Sequence, residues 1–510
     1  METYFSIQCL LLLPLFLVCL YLLCSSHKSS SNNLVRTYPI LGHVPDFLKN
    51  RHRLFDWTTD ILLNTPTNTF TFIRPGKLHG IITANPSNIE FMLKTNFENH
   101  PKGERFIFLM EDFLGRGIFN SDGEQWKTQR KVASHEFSTR SLRSFVIETV
   151  RSELQTRFIP LLSKACTENR VIDLQDFLER FAFDNICQVA FNEDPACLGG
   201  DGTSGREFMV AFEEATRTIA GRFYSAVPNV WLLMKFLNIG SEKRLKKYIG
   251  VVHKFAERII DARIQENGKI QEKADLLSRF ISANDENLPN SKEFLRDIVI
   301  SFILAGRDTT SAGLSWFFWL LSSRPKIEKK ILEELKAIRN SNGKRMGDTY
   351  DLDELRRMHY LHAAITEAMR LYPPVPVDSM VSLEDVIMPD GTFAGKGWFV
   401  SYHTYAMGRI ENIWGKNCNE FLPERWLENG IFQPENPFRY PVFHAGPRMC
   451  LGREMAYIQM KSVAACVIEN FEIHLVDKIT RPRTVISMTL RMKDGLMVRM
   501  KDRPRSVVGC

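Results

Sequence analysis

The chain has 510 residues, 44% hydrophobic, 11% aromatic and 25% charged, with only 29 Gly and 23 Pro. That composition excludes intrinsic disorder and collagen-like or low-complexity chains, and a slightly negative mean hydropathy with one spanning-length apolar stretch excludes a polytopic membrane protein. Net charge is +7, from 66 Lys+Arg against 59 Asp+Glu. Without a clustered basic patch or a reader motif, this argues against nucleic acid and for an acidic partner or an anionic membrane surface.

No charged side chain occurs from Thr3 to Ser26, a run long enough for one membrane helix of about 20 residues. Only Glu2 precedes it, whereas a cleaved signal peptide wants a basic start. Lys28 and Arg36 follow, so the positive-inside rule leaves the remaining chain in the cytosol. The expected organisation is a signal-anchor over 3–26, a polar, proline-containing linker over 27–45, and one catalytic domain over 46–510. Ten cysteines without a C-x-x-C pair make neither a disulfide framework nor a zinc ribbon, and point to a reducing compartment.

Residues 69–73 and 80–83 read as two short strands around the Pro75-Gly76 turn. Helical periodicity then dominates. One helix, over 297–321, would be about 37 Å long at 1.5 Å per residue. Its middle, Ala305-Gly306-Arg307-Asp308-Thr309-Thr310, puts a glycine, an acid and hydroxyls where a helix wants none, which marks a functional position. Leu355, Met358, Leu361, Ile365, Ala368 and Tyr372 trace one face of another helix, carrying Glu367 and Arg370 as i,i+3 neighbours. Strand patterns return at 471–476, and at 485–492 and 496–500 around Asp494-Gly495. A mostly helical chain with a minor segregated sheet is the α+β pattern, here mainly α.

The segment Phe443-His444-Ala445-Gly446-Pro447-Arg448-Met449-Cys450-Leu451-Gly452 sets one cysteine between glycines just before a buried helix. Free N–H groups and the helix dipole favour a thiolate there. A single thiolate with no second ligand at metal spacing does not suit zinc. It suits haem iron, whose equatorial ligands are the porphyrin's, while Cys187 and Cys466 read as core cysteines.

This loop resembles the haem-binding loop of cytochrome P-450 monooxygenases, F-x-x-G-x-R-x-C-x-G, at every fixed position. The resemblance implies that family's fold, haem b (iron protoporphyrin IX) as cofactor, Cys450 as axial iron ligand, and Phe443, Gly446, Arg448 and Gly452 as haem-binding. Trp126 and Arg130 resemble the family's W-x-x-x-R pair, implying propionate partners together with Arg448. The run Val377-Asp378-Ser379-Met380 offers no further basic donor. Glu367 and Arg370 resemble the structural E-x-x-R, and Arg425 in Pro423-Glu424-Arg425 would complete a charged triad. The A-G-x-D-T-T likeness implies Thr309 and Asp308 as the hydroxyl and acid of a proton relay.

No flavin or dinucleotide motif is present, so the resemblance implies electrons from a separate NADPH-cytochrome P-450 reductase. It would meet a basic face at Lys127, Lys131, Arg439 and Arg453, in the endoplasmic reticulum membrane. Residues 102–142 resemble the plant fatty-acid ω-hydroxylases, implying terminal or near-terminal hydroxylation of an apolar chain. Lys102 or Arg105 is a candidate for a substrate carboxylate, and Phe106, Phe108, Phe113 and Phe119 are candidates for an apolar cavity. Alternatives are hydroxylation of jasmonoyl-amino-acid conjugates or a steroid side chain, a hydroperoxide isomerase or lyase, and a non-catalytic haem protein.

Overall fold

The structure is a computed structural model that describes residues 35–503 except 39–40, 76–77, 138–139, 200–202, 226–228, 267–274, 284–287, 290, 345–347 and 478–480. The anchor expected over 3–26 lies outside the described residues. Among those described, no helix is long and apolar enough to cross a membrane.

Strands β1 (Thr69–Arg74) and β2 (Leu78–Thr83) form the anticipated hairpin. The Pro/Gly segment that reads as linker is docked onto it: His43 N–H donates to Ile73 O at 2.9 Å and the Ile73 N–H returns to His43 Nδ1 at 3.0 Å. Tyr38 and Gly42 instead exchange backbone hydrogen bonds within the segment, at 2.9 and 2.8 Å.

The helices that position the site are α1 (Gly123–Phe137), α2 (Leu174–Phe191), α3 (Thr203–Phe223), α4 (Lys292–Ile303), α5 (Thr309–Ser322), α6 (His359–Leu371) and α7 (Arg453–Asn470). Between α4 and α5 the chain makes a π-helical turn, Leu304–Asp308, so both helices run on as one rod. The rod starts earlier than its apolar period suggests because Ser291 caps it, accepting from the Phe294 N–H at 3.2 Å. The 355–372 face belongs to two helices, Leu352–Arg357 and α6, broken at Met358. The Glu334 carboxylate caps the second, accepting from the N–H groups of Tyr360 at 2.7 Å and Leu361 at 2.9 Å.

One sheet has the order β1-β2-β5-β4, where β4 is Asp378–Val381 and β5 is Phe399–Tyr402; β2 and β5 are parallel and the other pairs antiparallel. A second has the order β6-β7-β3, with β3 Ile172–Asp173, β6 Phe471–Leu475 and β7 Met497–Asp502. Residues 485–492 are not a strand. They cap the core with Leu490 and Met492, both fully buried, and Leu490 N–H donates to Pro374 O at 2.8 Å while Leu490 O accepts from Trp316 Nε1 at 2.7 Å. Two large cores result. One joins α5, α6 and α7, and the other joins α2, α3 and α4.

Candidate active site

Cys450 lies on the loop that enters α7. Its N–H donates to Phe443 O at 2.9 Å, and the Met449 N–H to Gly446 O at 3.0 Å. Gly446 has φ +65°, and a Cβ there would sit 1.9 Å from Leu93 O, so only glycine fits where the loop crosses the π-turn Phe91–Thr95. Gly452 carries no such constraint: its φ is −86° and the nearest atom to a Cβ is 3.7 Å away. The two glycines therefore differ, and the close approach is to protein backbone.

The Cys450 side chain is exposed, yet protein surrounds it on nearly every side. The space it opens on is therefore inside the molecule. Burial pushes its thiol up, while the Gly452 N–H and the guanidiniums of Arg130 and Arg453 pull it down. On the α4–α5 rod, Ala305, Gly306 and Thr309 are only half-buried among buried neighbours, so one stripe of the rod also faces internal space. Thr309 Oγ1 donates to Ala305 O at 2.7 Å. Gly306 is forced by packing: a Cβ would lie 2.4 Å from Ile186 Cγ1 of α2.

Asp308 is buried and accepts from Arg307 Nη1 at 2.8 Å. Arg307 reaches Glu179 at 3.4 Å, Glu179 accepts from Arg491 Nε at 2.6 Å, and Arg491 also pairs with Glu213. A polar cavity of about 10 Å³ sits among these groups, the room of about one water molecule. Burial, with Glu179 adding and Arg307 and Arg491 opposing, raises the Asp308 carboxyl to about 6.

Glu367 and Arg370 form a fully buried, two-pronged pair, with Nε–Oε2 at 2.7 Å and Nη2–Oε1 at 2.8 Å. Arg425 Nε stands 3.4 Å from Glu367 Oε1, and Trp426 Nε1 donates to Glu367 Oε2 at 2.9 Å. Arg370 also donates to the carbonyls of Gly408, Cys418 and Glu420. These residues lace α6 to the segment that leads to the cysteine loop.

Comparison with known proteins agrees with this geometry. Residues 34–499 match the cytochrome P450 family. The chain is 53% identical to cytochrome P450 CYP94D108 of Paris polyphylla, over 91% of each protein. It is 42% identical to cytochrome P450 94A1 of Vicia sativa over 92% of each. It is 45% identical to cytochrome P450 94C1 of Arabidopsis thaliana, over 88% of this chain and 90% of that one. The chain belongs to the cytochrome P450 family.

Cytochrome P450 monooxygenases use haem, and the residues of this P450 fit that group. Haem is flat, with a metal that takes an axial donor and an edge bearing two carboxylates. The accessible thiol of Cys450 is of the kind that could serve as that donor. At the anionic edge, Arg130 and Arg448 flank the ring of Trp126, with guanidinium carbons 5.9 and 4.2 Å from its centroid. The Arg448 Nε is buried and has no hydrogen-bond partner. Its Nη2 donates to Asp122 at 2.6 Å and to Ser121 O at 3.0 Å, and Arg130 Nη2 donates to Met449 O at 2.6 Å. Burial lowers both guanidiniums, against the pull of Cys450 on Arg130 and of Asp122 on Arg448. Phe443 shapes the loop through its carbonyl and packs its ring 5.3 Å from Tyr457.

Sequence reasoning missed several members of this P450's site. Asp122 ties Arg448 to the N–H groups of Lys102 and Gly103, at 3.0 and 2.7 Å. Arg307, Glu179 and Arg491 surround Asp308, yet Glu179 and Arg491 stand 312 positions apart, and no local period carries such a pairing. Of the four phenylalanines suggested for the cavity, Phe106 lines it. Phe113 is core, and Phe108 and Phe119 are exposed.

Proposed function

We propose that this cytochrome P450 hydroxylates the terminal or near-terminal carbon of a fatty acid, with O2 and electrons drawn from NADPH through a separate NADPH-cytochrome P-450 reductase. The observation that carries this reading is an apolar cavity of about 280 Å³ bounded by β1, β2, β5, the helix Leu54–Leu63 and the end of α3. Its walls include Phe55, Trp57, Phe70, Ile82, Met110 and Phe223. Such a lining takes an aliphatic chain. The likeness to the CYP94 proteins supports the same class.

When bound, haem supplies the oxidant that takes hydrogen from an unactivated carbon and returns a hydroxyl. In our reading Cys450 would hold the haem iron through its sulfur, whose negative charge the Gly452 N–H and the guanidiniums of Arg130 and Arg453 favour against burial. Trp126, Arg130 and Arg448 take the propionates, and Phe443 and Gly446 hold the loop in shape. Thr309 Oγ1, now donating to Ala305 O, turns to hold a proton at the reacting face. Asp308 resupplies that proton from the small polar cavity among Glu179, Arg307 and Arg491. Glu367, Arg370 and Arg425 keep the cysteine side rigid and do no chemistry.

We assign residues 3–26 to a single-pass anchor in the endoplasmic reticulum membrane, 27–45 to its linker, and 46–510 to a cytosol-facing catalytic domain. Supporting this, Leu233, Phe236, Leu237 and Ile239 form an exposed apolar surface on and after the helix Val230–Phe236, with Phe236 86% exposed. Val35, where the described chain begins, packs in the same cluster as Tyr224, just before that helix. Lys131 and Arg453 are exposed, while Lys127 pairs with Glu124 and Arg439 with Glu435; in our reading these cations meet an acidic flavoprotein.

The test is to express the full chain in microsomes, add reductase and NADPH, and screen lauric to oleic acids, a jasmonoyl conjugate and a sterol by mass spectrometry. ω- or near-ω-hydroxy fatty acids formed only with NADPH and O2 support the reading. Turnover of a lipid hydroperoxide without either contradicts it.

A further inference from the structure

Arg74 lines the apolar cavity, while Lys102 and Arg105 stand behind two of its wall residues, Phe106 and Phe399, in three different environments. Lys102 is committed. Its Nζ donates to Asp378 Oδ1 at 2.6 Å and to Ser379 O at 3.4 Å, and it lies 4.7 Å from the ring centre of Phe106. Burial pushes the Asp378 carboxyl up, but Lys102 and His444 overcome it and hold that carboxyl well below the usual range. A ligand carboxylate would have to break this buried pair, and leaving one partner alone is costly.

Arg74 closes β1 and lines the cavity. Its Nη1 donates to Phe223 O at 2.9 Å, and its Nε is buried with no hydrogen-bond partner. The Arg105 guanidinium stacks 4.3 Å over Phe399, itself a cavity wall. Among the described residues no carboxylate lies within ion-pair distance of either arginine, although this chain pairs most of its buried cations. Burial, with repulsion from Arg105 second, lowers the Arg74 guanidinium to about 10, and burial lowers Arg105 as well. Two like charges that repel each other, one of them on the wall of a mostly apolar cavity whose lining acid, Asp378, is already paired with Lys102, favour an added counter-charge. A carboxylate matches the fork of an arginine.

We propose that Arg74, backed by Arg105, anchors the substrate's carboxylate, so that the cavity selects apolar chains that end in an acid. Lys102 does not do this. The inference rests on the fatty-acid reading above for the tail of the ligand, and on the two arginines for its head. A free fatty acid and an acyl-amino-acid conjugate offer the same head, and the test separates them.

Purified holoprotein is titrated with dodecanoic acid, methyl dodecanoate and a jasmonoyl-amino-acid conjugate, following the spin-state shift of the Soret band. The variants are Arg74→Leu, Arg74→Lys, Arg105→Leu and Lys102→Met, each checked for intact holoprotein by its ferrous carbonyl spectrum. The expected result is that Arg74→Leu weakens acid binding about tenfold or more, the worth of a charge-assisted hydrogen bond, and leaves the ester unchanged. Arg74→Lys recovers part of the loss, Arg105→Leu shows a smaller loss confined to acids, and Lys102→Met shows none confined to acids. If Arg74→Leu does not hold haem, the Arg105→Leu and Arg74→Lys titrations decide on the same acid-against-ester criterion. Equal weakening of acid and ester overturns the anchor. Unchanged acid affinity in Arg74→Leu overturns it while fatty-acid hydroxylation stands. A wild-type protein that binds neither acid but turns over a neutral sterol overturns both.

Discussion

Arg307 and Asp308 are consecutive in the chain yet meet as an ion pair, Nη1 to Oδ1 at 2.8 Å, with both side chains buried. The π-turn Leu304–Asp308 contains both residues, and it hands them to α2 and to the C-terminal segment through Glu179 and Arg491. The weakness at the centre of the rod is thus held from outside the rod. A helix with a local defect persists when surrounding contacts over-determine it.

Asp308 is the proposed relay acid, and its raised carboxyl gives the relay a pH signature. Asp308→Asn lowers NADPH-dependent hydroxylation about a hundredfold, within the range of positioned proton transfer, without weakening substrate binding. In the wild type the carboxyl gains its proton as pH falls through about 6. A break in the rate profile near that pH, absent in the variant, checks the assignment, and an unchanged rate in Asp308→Asn contradicts it.

Glu153 predicts a pH effect on stability. Its Oε2 pairs with Arg157 at 3.0 Å while its Oε1 is buried without a partner. Burial, then Asp184, raises this carboxyl to about 7. The folded state therefore keeps a proton that the unfolded chain releases, so the group's contribution is full below about pH 4.5 and is lost as pH rises through about 7. Glu153→Gln raises stability at pH 8 by on the order of 1–3 kcal/mol and does little near pH 4.5. Thermal unfolding of both proteins at the two pH values checks this, and an equal shift at both contradicts it.

The two loop glycines separate on geometry. Gly446→Ala must move Leu93 or the loop and adopt φ +65°, at a cost of several kcal/mol, so it loses haem-loaded protein. Gly452→Ala meets only ordinary contacts and retains it. Haem content per polypeptide, measured side by side, checks the ranking.

The buried triad is graded in the same way. Glu367→Ala strands Arg370 and Arg425 and costs about 3–5 kcal/mol, as for other broken buried pairs. Arg425→Ala costs less, because its contact with Glu367 is 3.4 Å and its side chain keeps 13% exposure. Denaturant unfolding of the two variants measures the difference.

The cysteine loop, the helix after it, the β1–β2 hairpin and the E-x-x-R face were legible in the sequence because each is written in a local pattern: a motif, a period or a turn. The π-turn was not, since Leu304–Asp308 carries no period of its own. The apparent strand at 485–492 misleads because its alternation matches Leu490 and Met492 entering the core, while its backbone bonds go to Pro374 and Trp316 far away in sequence. The charge partners were invisible for the same reason. Lys102 reads as a free cation until Asp378, 276 positions on, arrives at its Nζ, and Arg74 attracts no notice until its neighbours are seen to offer it no acid.

The most direct measurement is the ferrous carbonyl spectrum of the purified holoprotein beside that of Cys450→His. The wild type gives the red-shifted Soret band of sulfur-ligated haem and the variant loses it. A colourless wild-type protein, or one whose carbonyl band sits where imidazole-ligated haem absorbs, contradicts the assignment of Cys450 as the iron's axial donor.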